Sequence, residues 1–160
     1  MRVLCCLDGT NAEPISRATS LLSPAGLTVG LIYVVDQGPH HDIAHTRERH
    51  FRSPVPPPGR EHQMLEAEQA SANEIIDEGL RYVAGAETLR REGRPEREIV
   101  NAAADWQADL IIICPRAEYR DQHKIGPKSV GHVARFVLDH APCPVLLVRP
   151  MNRDQFPIKR

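Results

Sequence analysis

An α/β domain built on a doubly wound, five-stranded parallel sheet is predicted by two observations. Short apolar runs alternate with helix-period segments along the chain, and proline and capping residues punctuate the boundaries between them. The apolar runs give strands over Arg2–Leu7, Leu27–Val35, Glu87–Glu92, Asp109–Cys114 and Pro144–Val148. Each strand-helix-strand unit crosses over right-handed, so a ligand crevice is expected at the C-terminal ends of the strands.

The first helix starts near Thr10 or Asn11, carries Glu13 and Pro14 in its first turn, and ends at Pro24. Its apolar stripe is Ile15, Ala18, Leu21 and Leu22. The second, Glu61 to Ala84, places Leu65, Ala72, Ile76, Leu80 and Val83 on one face. A third opens at Pro95 and Glu96, with Ile99, Val100, Ala103 and Trp106 on its stripe. The last runs to Ala141 with Val130, Val133, Ala134, Val137, Leu138 and Ala141 inward, and Pro142 and Pro144 stop it.

The chain of 160 residues is 41% hydrophobic and carries 20 Lys+Arg against 21 Asp+Glu. One core over residues 1–150 accounts for that length, and a near-neutral balance gives no field to gather nucleic acid or an anionic membrane. No segment reaches the ~20 apolar residues that span a bilayer, and "MRVLCCLDG" reads as a buried strand rather than a leader. The four cysteines form no CxxC or paired framework. A cytoplasmic protein is the expectation. Cys5 and Cys6, adjacent in a strand, point to opposite faces and read as small buried hydrophobes. Residues 37–60, rich in Pro, His and Arg, form an excursion from the core, and residues 151–160 form a flexible tail.

The stretch "IIICPRAEYRDQHKIGPKSVGHV" breaks an apolar run with a charged loop and resumes as a helix. "IGPKS" looks like a helix start, with Pro127 at the first helical position. A helix beginning there engages the amide of Gly131 and moves the free donors to Pro127–Val130, beside Lys128 and Ser129. A cation and a hydroxyl next to free amides suit an anion.

"VLCCLDGTNAEPISRATSLL", "LIYVVD", "REGRPEREIVNAAADWQADLIIIC" and "GHVARFVLDHAPCPVLLV" together resemble the universal stress protein family over nearly the whole chain. The resemblance implies a Rossmann-like sheet of the adenine nucleotide alpha hydrolase-like type, and dimers formed through the last strand. In the nucleotide-binding branch the fourth strand runs into Gly, two residues, Gly, nine residues, then Gly with Ser or Thr. Here Cys114 and Ala117 replace the first two glycines, Gly131 keeps the third, and His132 replaces the hydroxyl. The spacer Glu118–Val130 has 13 residues, four more than the pattern. The same resemblance puts Asp8 near the adenosine moiety and Val34 against the base. Arg116 is within reach of phosphates, and Ile113 and Val133 flank the loop and complete the candidate set.

These departures imply a degenerate or remodelled ATP crevice in a regulatory or binding module of the stress response, without catalysis of its own. ATP with magnesium is the one cofactor the resemblance offers. The alternative is a protein that weakly hydrolyses ATP or phosphorylates itself, with Ser129 or His132 as acceptor. A further reading uses residues 37–60 to dock another protein.

Other constellations are weaker. His40, His41, Asp42, His45, His50 and His62 match no structural zinc spacing, so no metal site is expected. No GxSxG elbow, HExxH helix or complete P-loop is present. Cys114 beside Arg116 could be a reactive thiol, but a small residue standing in for glycine is the plainer account. A response-regulator receiver needs an acidic cluster and a flavin carrier needs aromatics, which are only 4% of this chain.

Overall fold

The computed structural model describes residues 1–23, 25–36, 60–115 and 130–149. Its elements are β1 (Arg2–Cys6), α1 (Ala12–Thr19), β2 (Thr28–Asp36), α2 (Arg60–Tyr82), β3 (Glu87–Gly93), α3 (Pro95–Asp105), β4 (Leu110–Ile113), α4 (His132–His140) and β5 (Val145–Leu147). The strands form one five-stranded sheet in the order β3-β2-β1-β4-β5. Every pairing is parallel, with Cys5 of β1 opposite Leu31 of β2 and Ile112 of β4. The predicted α/β doubly wound sheet is therefore the fold observed. Most of the remainder of residues 37–60, and all of 151–160, lies outside the described residues, as does the histidine group from His40 to His50.

β1 sits at the centre because it is apolar on both faces, and the pleat divides its side chains between two cores. Leu4 and Cys6 join Ile32, Val34, Ile111 and Ile113 under α3 and α4. Val3, Cys5 and Leu7 join Leu31, Ile112 and Cys114 under α1 and α2. The expected opposite orientation of Cys5 and Cys6 follows from this division. Each fully buried Leu or Ile here contributes about 2–3 kcal/mol of transfer free energy.

Three helices differ from their sequence periodicity. α1 stops at Thr19, because Thr19 Oγ1 donates to the Ser16 carbonyl and Ser20 Oγ to that of Arg17, drawing the last turn tight. Leu21 therefore leaves the stripe and is 83% exposed. On α2 the buried face runs through Ala72, Ile75 and Gly79, with Ile75 rather than Ile76 packed on the core. Gly79 lets the helix approach the sheet closely: a Cβ there would meet Leu7 Cδ1 at 2.8 Å, so that leucine side chain would have to shift. Trp106 closes α3 as its C-cap and, as its place on the stripe predicts, packs with Ile99, Val100 and Ala103 on the core. It covers Gly30, donates from Nε1 to Glu87 at 2.9 Å and lies under the Arg2 guanidinium.

The largest departure concerns α4. The helix begins at His132 with Gly131 at the N-cap, not a turn earlier at Pro127. Gly131 has φ 80° and ψ 160°, a conformation only glycine adopts without strain, and it sets the first turn of the helix at His132. Leu138 is 43% exposed instead of inward.

Candidate functional site

The chain order reverses direction across the sheet between β1 and β4, since β2 and β3 lie on one side of β1 and β4 and β5 on the other. Adjacent strand ends diverge at such a switch point and leave a crevice. A cavity of about 390 Å³ opens there. β1 and its turn supply Cys6, Leu7, Asp8 and Asn11 to its wall, and β2 supplies Ile32, Tyr33, Val34 and Asp36. Pro95 and Ile99 of α3, Ile113 and Cys114 at the end of β4, and Val130 to Ala134 at the start of α4 close it.

Of the candidates named from sequence, Asp8, Val34, Ile113, Cys114, Gly131, His132 and Val133 all line this one cavity. Arg116, Ala117, Lys128 and Ser129 lie outside the described residues. Sequence reasoning missed Asn11, Tyr33, Asp36, Pro95 and Ile99 as lining residues. The switch-point rule could have found Asp36 at the end of β2, and the strand-to-helix turn could have found Pro95. The burial of Asn11 has no signature in the sequence.

Asp8 is both turn former and cavity wall. Thr10 donates from its backbone amide and from Oγ1 to Asp8 Oδ1, each at 2.9 Å, and Gly9 reverses the chain at φ 85°. Asp8 N donates to Asn11 Oδ1 at 3.0 Å, and Asn11 Nδ2 donates to the Cys6 carbonyl at 2.8 Å. Electrostatically this end of the crevice is acidic. Burial, followed by the carboxylates of Glu68, Asp36 and Asp8, holds the Tyr33 hydroxyl above its usual pKa.

The wall at the start of α4 is built differently. The first intrahelical bond of α4 runs from Arg135 N to Gly131 O at 3.2 Å. The amides of His132, Val133 and Ala134 therefore have no partner within the helix, and these residues border the cavity. The free donors expected at Pro127–Val130 are thus found at 132–134, because glycine at the N-cap, not proline four residues earlier, sets the helix start. His132 is exposed.

Cys5, Cys6 and Cys143 are poor nucleophiles, each thiol pushed up by burial. Burial, with the Cys114 thiol adding to it, pushes Cys5 up to about 12, and burial raises Cys6 well above the ordinary range. Cys114 is 7% exposed and belongs to the cluster under α1 and α2, so its side chain serves packing. All four cysteines are free thiols. Among the described residues no group of three or more His, Cys, Asp or Glu could hold a metal, and no helix is long and apolar enough to cross a membrane.

The family model for the universal stress protein family matches residues 1–149. A universal stress protein of Thermus aquaticus is 37% identical over 70 residues, which are 44% of this chain and 48% of that relative, so the match spans about half of its length. Among solved structures, a universal stress protein from Lactobacillus plantarum superposes with a TM-score of 0.66 at 21% identity, covering 93% of this chain and 97% of the other. A universal stress protein family protein from Arabidopsis thaliana with AMP bound gives a TM-score of 0.55 at 16% identity, covering 99% of this chain and 97% of the other. A universal stress protein in complex with cAMP gives 0.56 at 17% identity, covering 94% and 98%.

Proposed function

This chain belongs to the universal stress protein family, and from that premise we propose that it is a cytoplasmic regulatory module of the stress response whose crevice binds an adenine nucleotide. The observation that carries the reading is the start of α4. Gly131 caps the helix at the wall of the cavity, so three backbone donors and the positive end of the helix dipole meet one ligand position.

The rest of the cavity sorts the ligand by polarity. Ile32, Val34, Ile99 and Ile113 offer an apolar slot of the kind a purine fills, and the turn after β1 and the end of β2 add the carboxylates of Asp8 and Asp36. Carboxylates repel phosphate and accept from hydroxyl or amino groups, which turns the nucleoside toward β1 and β2 and the phosphate toward α4. AMP and cAMP, each bound by a solved relative, have this polarity. ATP with magnesium is the ligand that would test how far the remodelled loop after Cys114 still serves a longer phosphate chain.

The protein acts by binding, as a dimer joined through β5. That strand is a sheet edge of three apolar residues, with Leu146 38% exposed and Leu138 of α4 43% exposed beside it. An apolar edge is a pairing template unless another chain covers it. The opposite edge, β3, reads ETLRREG and is protected by its charges. Light scattering tests this: Leu146→Lys should convert a dimer to a monomer, and a native monomer at micromolar concentration refutes it.

Calorimetric titration with AMP, cAMP and magnesium ATP tests the ligand. Saturable binding of at least one supports the reading. No heat and no thermal shift at millimolar concentrations of all three overturns it.

A further inference from the structure

Asn11 and Thr19 are the buried polar side chains among the described residues. Thr19 is accounted for by the helix end it closes. Asn11, 1% exposed, occupies the N-cap position of α1, where a side-chain oxygen ordinarily accepts from the first helical amides. It makes no such bond. Its amide turns back toward β1 instead, donating to the Cys6 carbonyl and accepting from the Asp8 amide.

The two partners fix which end of the amide is which, since a carbonyl demands the NH2 and an N–H demands the oxygen. They also flank the point where β1 ends and the crevice begins. Leu7 N still pairs with the Ile32 carbonyl, but beyond it Asp8 leaves the sheet. A helix cap would have served α1 equally well with Ser, Thr or Asp, and none of these offers a donor and an acceptor together at this reach. A buried amide is tolerated only when both ends are paired.

We propose that Asn11 is the positioning residue of the crevice: by tying the Cys6 carbonyl to the Asp8 amide it holds the Asp8 carboxylate against the nucleoside part of the ligand. This rests on the nucleotide reading above. Asn11 touches the ligand site from within the turn and acts through Asp8, so its removal weakens the nucleoside contact and leaves the phosphate contact at α4 alone.

The test is calorimetric titration of adenosine and of AMP into the full-length native protein, Asn11→Ala and Asn11→Asp, at about pH 8 and about pH 5.5. Asn11→Ala should weaken both ligands by the same factor, about ten-fold. Asn11→Asp supplies the control if the alanine variant fails to fold. Its ionised carboxylate faces the Cys6 carbonyl and cannot donate, whereas the protonated acid restores both bonds. Burial raises the pKa of the introduced carboxyl, so affinity relative to the native protein should be low at the higher pH and recover at the lower. A deficit equal at both pH values, or undiminished binding in both variants, overturns the role of Asn11. Native protein that binds neither ligand sinks the nucleotide reading and this inference with it.

Discussion

On the side of the crevice proposed for the nucleoside, the groups are delivered by paired strands and a clamped turn: Ile32 and Val34 from β2 and Asp8 from the end of β1, with Asn11 tying the Asp8 amide back to the Cys6 carbonyl. On the side proposed for the phosphate, one helix end does the corresponding work, and its position depends on the backbone of a single glycine. The first side shares its stability with the core of the sheet. The second depends on one residue outside the regular elements, where a substitution acts on the crevice more than on the sheet.

The comparison predicts that substitutions beneath the nucleoside side cost the most. Ile32 is 1% exposed in the middle of the sheet. Ile32→Ala should lower stability by about 3 kcal/mol in urea denaturation and weaken all ligands together. A smaller loss with only AMP affected would show that the two sides are not mechanically distinct.

Gly131→Val comes next. Its backbone conformation costs a side chain about 2 kcal/mol, and the helix start should shift to relieve it. AMP affinity should fall about ten-fold or more while adenosine affinity holds. Equal losses for both would mean that the glycine supports the whole crevice. Smaller still, His132→Ser returns the hydroxyl of the family pattern and should raise ATP affinity by about two- to three-fold.

At the far end of the sheet, Trp106→Phe removes the bond to Glu87 and should cost under about 1 kcal/mol. It should leave every affinity unchanged. A change in binding would connect the two ends of the strands and dissolve the separation argued here.

The same division explains what the sequence made legible. The central strands were readable because buried parallel strands are apolar runs, and each of the five was located to within about two residues. Seven of the candidate residues reach one cavity because strand ends and a helix start are fixed by that regular frame. The helix start itself was misplaced. Pro127 is a good first helical residue locally, but the φ of Gly131 is a tertiary fact, and a glycine can serve a helix, a cap or a turn. Leu21 and Ile76 failed for a related reason: periodicity names an apolar face without saying where hydroxyl bonds end the helix or where a glycine lets it sink onto the sheet. Asn11 was invisible as anything but a cap, because only the fold reveals that its amide faces backwards.

The central claim is that one helix end, organised by Gly131, receives the phosphate of a nucleotide whose nucleoside rests on β1 and β2. Its most direct test is titration of AMP and adenosine into the native protein and Gly131→Val under one set of conditions. The native protein should bind AMP about ten-fold tighter than adenosine, and the variant should bind the two alike. Native affinities that do not differ, or a preference for AMP that survives the substitution, would contradict it.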